Sequence, residues 1–308
     1  MIFPIQFNRV LQVAALAVAL VTPWSAAADA VAPVGQRVFV CAHSFMLFTA
    51  KLLPPMAEAA GIAHVNAGQQ MIGGSRVNAG QQMIGGSRVI QHWNLPDAKN
   101  GAKTALREGK VDVLTLSPHT LLPDPGIDQF TRLGLDKNPG LRVLVQASWP
   151  THDGTSNKAF ANPTRNAATV TSLRTQRDAH NSGWLVNLEA QIRNLNDTVG
   201  RQAVFIVPVS NAVFALRERV AEGRAPGLTR QTDLFSDAVG HPRPPLAVLV
   251  TYCHFAAIYG RSPVGLPVPA ALKDNPEADA LNQLLQQLAW EAVTAHPMSG
   301  VRPTPTNP

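Results

Sequence analysis

The chain has little charge, few cysteines and, beyond its N-terminus, no long apolar run. Charged residues make up 15% of the 308 positions. The net charge is +6, but the lysines and arginines are scattered rather than clustered among aromatics, which argues against a nucleic-acid-binding face. Only Cys41 and Cys253 are present, both within apolar segments, where a bridge and a pair of buried free thiols are equally compatible with the pattern. None of the nine histidines falls into a His-x-His or His-Glu-x-x-His arrangement. No metal site, and no other cofactor, is therefore expected. No later segment reaches the roughly 18 uninterrupted apolar residues of a membrane span, so no stable span is expected either.

The N-terminus carries an export pattern. Arg9 is followed by the apolar run LQVAALAVALV from Leu11 to Val21, by Pro23 and Trp24, and by small residues at Ala26-Ala27-Ala28 and Ala28-Asp29-Ala30. That order reads as a cleavable signal peptide, and eleven apolar residues fall short of the roughly 20 needed to cross a bilayer. The expected organisation is a signal over 1–28, one domain over 29–295 and a disordered Pro-rich tail over 296–308, with the mature protein secreted or periplasmic. Apolar residues at 45% supply a sizeable core. No linker splits the chain.

Strand and helix patterns alternate. Arg37 to Cys41 reads as a buried strand, 45–60 as a helix, Ala63 to Val65 as a short strand and 98–109 as a helix. Val111 to Leu116, Leu141 to Gln146 and Ala203 to Val207 read as further strands, and 126–137, 184–198, 211–222, 245–259 and 276–294 as helices. The polar stretch 151–183 reads as a surface excursion. Such alternation predicts an α/β fold: a three-layer α/β/α sandwich with a mainly parallel central sheet of flavodoxin-like type.

VNAGQQMIGGSR occurs at 65–76 and again, unchanged, at 77–88. A tandem copy of this length is too short for a solenoid and reads as a duplication within one loop, where added length costs little. One copy is then surplus. The second runs directly into Val89-Ile90-Gln91-His92-Trp93, which predicts that residues 65–76 are dispensable.

Candidate chemistry gathers at three places. The first strand ends in Cys41-Ala42-His43-Ser44-Phe45, and the carboxyl ends of parallel strands form the ligand crevice of such sheets; Ser44 is there either a nucleophile or a helix N-cap. Ser236 to Pro242 forms a Gly/Pro-bounded loop in which Asp237 and His241, four apart, can face one crevice as the carboxylate and base that activate a serine. The pairs Gly73-Gly74 and Gly85-Gly86 offer backbone N–H groups for an oxyanion.

These blocks resemble those of the SGNH, or GDSL-type, hydrolases. Ala42-His43-Ser44-Phe45 is similar to a Gly-x-Ser-Phe first block, Ile84-Gly85-Gly86-Ser87-Arg88 to the second, and Asp237 with His241 to the last, while Tyr252 to Pro267 resembles the helix and tail that follow it in secreted bacterial members. The resemblance implies Ser44 as nucleophile, His241 as base, Asp237 as its orienting carboxylate, and an oxyanion hole of Ser44, Gly86 and Ser117. It implies a secreted esterase acting on short acyl esters, acetyl among them, with carbohydrates as carriers, and Trp93 and Trp149 then as sugar-stacking platforms or core residues. Two departures stand out. The third block, Thr115 to His119, lacks the usual Asn, leaving Ser117 or His119 as substitute donor, and three residues rather than two separate Asp237 from His241. The rival expectation is a non-catalytic carbohydrate-binding protein on the same fold.

Overall fold

The computed structural model describes Met1 and residues 35–71, 86–155, 157 and 159–302. The chain divides into units at 1–31 and 32–308. The expected signal and its cleavage site lie outside the described residues, and so do Gly73, Gly74 and Gly85.

In the second unit β1 (Gln36–Ala42), β2 (His64–Met71), β3 (Val113–Leu116), β4 (Arg142–Gln146) and β5 (Val204–Val207) form one sheet. Its order is β2-β1-β3-β4-β5 and every neighbouring pair is parallel. The helices are α1 (Thr49–Ala59), α2 (Val89–Trp93), α3 (Gly101–Arg107), α4 (Pro125–Lys137), α5 (Val170–His180), α6 (Val186–Val199), α7 (Val209–Ala221), α8 (Pro244–Tyr259) and α9 (Ala278–Ala295).

Alternate strand residues face opposite ways, as the pleat requires. Val38, Val40, Val113, Leu144 and Val207 pack under α1, α7, α8 and α9, whereas Phe39, Cys41, Leu114, Leu116, Val143 and Ile206 pack under α2, α3, α4 and α6. The result is a three-layer α/β/α sandwich. Helix α8 is buried on every side from Val248 to Tyr259, the mark of a helix enclosed by others, with α9 beside it in the same core. Cys41 and Cys253 belong to cores on opposite faces of the sheet, and both are free and buried.

In this strand order the chain leaves β1 toward β2 on one side and toward β3 on the other. The crevice that such a reversal opens lies at the carboxyl ends of β1 and β3. Ser44 follows β1 directly, and Ser117 to His119 follow β3.

Three expectations need correction. β2 runs to Met71, so residues 65–71 of the first repeat copy are edge strand rather than loop: Val65 to Gln70 pair with Arg37 to Cys41, and 72–76 lie outside the described residues. The disordered tail cannot begin at 296, because Met298 and Val301 are buried and the Met298 carbonyl accepts from Ile206 N–H at 2.9 Å; residues 303–308 lie outside the described set. The polar stretch 151–183 is not a plain surface excursion. It contains α5, whose Arg174 and Arg177 bond to Glu218 of α7, followed by one turn of π-helix at Asn181–Leu185. Among the described residues no helix is long and apolar enough to cross a membrane.

Candidate active site

Ser44 lies in a tight turn. The His43 carbonyl accepts from both Met46 and Leu47 N–H at 3.1 Å, and His43, Phe45 and Met46 are buried while Ser44 is exposed. Helix α1 starts after Phe48 with no side-chain cap, so the N-cap reading of Ser44 fails and its hydroxyl is available. Ser44 Oγ lies 2.9 Å from His241 Nε2, and His241 Nδ1 lies 2.5 Å from Asp237 Oδ2. A carboxylate only accepts, so Nδ1 carries the imidazole proton and Nε2 is left to accept from the serine.

The unusual Asp–His spacing closes through Asp237 itself. Its Oδ1 accepts from Gly240 N–H at 2.9 Å and His241 N–H at 3.1 Å, and Gly240 turns the chain at φ +105°, a conformation that suits glycine. Burial alone would raise the Asp237 pKa, but the hydrogen bonds from the His241 ring and from these two amides outweigh it and hold the carboxyl below its usual range.

Every carbonyl of this loop from Asp237 to Gly240 is held from outside it. Arg165 Nη1 donates to Asp237 O and Nη2 to Ala238 O, both at 2.7 Å. His152 N–H donates to Val239 O at 3.1 Å and Trp149 Nε1 to Gly240 O at 3.0 Å. The Arg165 side chain is fully buried and paired with Asp153, which also binds Arg217 at 2.6 Å. His152 and Asp153 take left-handed backbone, φ +50° and +53°, a strained state of about 1–3 kcal/mol per residue that survives where surroundings enforce it.

Gly86 has φ +70°, and a Cβ there would come within 2.7 Å of His119 Nε2. The segment after it is fixed by the buried Asp124 carboxylate, which accepts from Val89 N–H at 2.7 Å and Ile90 N–H at 2.9 Å. Among the described residues the main-chain N–H groups of Ser44 and Gly86 have no hydrogen-bond partner.

Ser117 does not join the crevice. It is fully buried and 2.9 Å from His43 Nε2, which corrects its expected place in the oxyanion hole: a hydroxyl already bonded beneath the Ser44 turn does not face the crevice. His119, half-buried beside Gly86, stands there instead. Its pKa is lowered by burial and by the charge of Arg88, and its Nδ1 lies 3.0 Å from the Thr120 hydroxyl.

Sequence reasoning missed three supports. Phe45 N–H donates to His43 Nδ1 at 3.2 Å, tying the turn to the His43–Ser117 pair, and burial lowers the His43 pKa to about 4. Gln146, at the end of β4, donates to the Phe45 carbonyl at 3.1 Å while its own carbonyl is 2.8 Å from His254 Nε2. Arg165 lay hidden in a segment whose polarity suggested solvent. Of the two tryptophans expected at the crevice, Trp93 packs instead edge-on to Phe130 at 5.0 Å. Trp149 borders it but is buried and stacked on Phe45 at 4.6 Å, so neither is an open sugar platform.

The fold is similar to that of a solved DUF4886 family protein from Bacteroides uniformis ATCC 8492, over 85% of this chain and 95% of that one, at 14% identity and a TM-score of 0.50. No protein-family model and no curated protein matches the chain.

Proposed function

We propose that the protein is an exported serine hydrolase that cleaves esters of small acyl groups. The observation that carries this is the relay Asp237–His241–Ser44, with contacts of 2.5 and 2.9 Å, at the crevice where the sheet order reverses. The resemblance of the first and last blocks to SGNH hydrolases points the same way.

Ser44 Oγ attacks the acyl carbon as its proton passes to His241 Nε2, and Asp237, remaining ionised, stabilises the imidazolium. The oxyanion takes hydrogen bonds from Ser44 N–H and Gly86 N–H. In the tautomer whose Nδ1 accepts from the Thr120 hydroxyl, His119 carries its proton on Nε2 and serves as third donor where an Asn is usual. The intermediate collapses, the alkoxide leaves with the proton from His241 Nε2, and an acyl-Ser44 ester remains. Water then adds, gives its proton to His241, and the carboxylic acid departs as Ser44 regains its hydrogen.

The test is turnover of fluorogenic short-chain esters by the wild type and by Ser44→Ala. Turnover lost in the variant supports the reading. A folded wild type that turns over no acyl ester supports the non-catalytic carbohydrate-binding alternative. Export is tested separately, by the N-terminal sequence of protein recovered outside the cytoplasm: a start near residue 29 is expected, and an intact Met1 would refute processing.

A further inference from the structure

A cavity of about 220 Å³ is bordered by His43 and Phe45, the chain neighbours of Ser44. Phe45 and Trp149, stacked nearly parallel at 8°, make one wall, and Trp184, stacked on His180 at 5.2 Å, makes another. Pro118 and His119 complete the side next to Gly86. Trp184 is braced by its indole N–H, which donates to the Thr120 carbonyl at 3.1 Å, and the π-helical turn at Asn181–Leu185 is what carries it out of helical register, as such bulges do at functional sites. No Asp, Glu, Lys or Arg among the described residues borders the cavity. Burial holds His43 and His180 neutral, with pKa values lowered to about 4.

Position decides which half of an ester this space can take. The departing alcohol must reach His241 to collect its proton, whereas the acyl carbon lies on the side of the oxyanion donors. Of the proposed oxyanion donors His119 borders the cavity, as do His43 and Phe45, the chain neighbours of Ser44, whereas Ser44, Gly86 and His241 do not; His241 meets only the Phe45 wall, edge-on at 5.4 Å. Resting on the hydrolase reading above, we infer that this cavity binds the acyl group, and that the preferred acyl group is uncharged and apolar, of four to six carbons or a phenyl ring, rather than acetyl. Size agrees: apolar cavities of about 150 Å³ accept benzene.

The experiment uses 4-nitrophenyl acetate, butanoate, hexanoate and benzoate, which share one leaving group. Expected is a kcat/KM that rises about fourfold per methylene from acetate to hexanoate, with benzoate at least about tenfold above acetate. Thr151→Trp, which fills the cavity from its rim, and Trp184→Ala, which removes a wall, should each lower the hexanoate-to-acetate ratio about tenfold. Ser44-dependent turnover that is best on acetate, or a ratio that neither variant changes, overturns the inference and leaves the hydrolase reading standing. If no ester shows Ser44-dependent turnover, the hydrolase reading fails instead. The cavity is then judged by tryptophan fluorescence with benzamide: saturable quenching weakened in Thr151→Trp supports an apolar ring site, and no quenching overturns it.

Discussion

The Arg165 guanidinium donates from Nη1 to the main-chain carbonyl of Asp237 at 2.7 Å, so a buried cation from one segment sets the backbone of the residue whose carboxylate orients His241. Substituting Arg165 by Met should destabilise the fold by about 3 kcal/mol, since Asp153 keeps only Arg217 as partner. It should also lower kcat more than about tenfold with KM little changed, because the relay loosens while the substrate cavity does not. Arg165→Lys, which keeps the charge but not the fork, should recover stability better than kcat. Thermal unfolding and steady-state kinetics read both, and a loss confined to KM would disprove the positioning role.

Asp237→Asn should keep the fold and lose kcat by roughly 10⁴-fold, because an amide cannot hold the His241 tautomer that leaves Nε2 free to accept. The comparison is kcat against Tm. A drop in kcat below about tenfold would place the carboxylate outside the relay.

Stability should fall in mild acid well before Asp237 protonates. Burial lowers the pKa of His43, His92 and His180 to about 4 and of His254 to about 3, while the same side chains in the unfolded chain titrate near 6.5. Between these values the unfolded state binds more protons, so each histidine removes about 1.4 kcal/mol of stability per pH unit as the pH drops. Asp237, with its folded pKa lowered, contributes stability that is present above about pH 4 and is lost only below it. Urea midpoints from pH 7.5 to 4.5 should therefore decline steadily below pH 6.5. A flat profile down to pH 5 would show that these rings are solvated.

Because the repeat copies are identical, deleting 65–76 or 77–88 yields the same chain. That chain still has residues for β2, Val-Asn-Ala-Gly-Gln-Gln-Met, and for the Gly-Ser-Arg that precedes α2. The ends are already close: Gln70 Nε2 is 3.4 Å from His92 Nδ1, and Ser87 Oγ is 3.1 Å from Nε2 of the same ring. The shortened protein should fold with stability within about 1–2 kcal/mol of the parent and hydrolyse esters at a comparable rate, as circular dichroism melts and kinetics would reveal. Loss of folding would refute it.

Gly86→Ala should lower kcat through both the φ of +70° and the 2.7 Å approach of its Cβ to His119. If His119 is only an obstacle, adding His119→Ala should restore activity. As the third oxyanion donor its removal should cost about 10²-fold by itself, and the double variant should be no better than either single one. Gly86→Pro, which lacks the N–H, should be inactive in every background.

The sheet and most helices are legible because runs such as Val38-Phe39-Val40 and Val143-Leu144-Val145 are apolar on both faces, as buried parallel strands must be. Ser44, Asp237 and His241 were legible from their places at strand and loop ends. Ser117 was misjudged because its position in the chain matched a donor's, whereas its burial against His43 depends on a contact 74 residues away. Arg165 was illegible for a related reason: polar composition describes solvated loops and buried ion networks alike, and only Asp153 and Arg217 together distinguish them. The sequence reads β2 as shorter than it is because Asn66, Ala67 and Gly68 are poor strand formers; pairing with β1 at an edge overrides that preference.

The two halves of the Ser44–His241 contact are 197 residues apart. Ser44 and His241 therefore stay apart until β1, its neighbours on both sides and the loop gripped by Arg165 have all formed. Regaining this contact during refolding reports the assembly of much of the second unit, and on the hydrolase reading activity should return behind helix content and the burial of tryptophan.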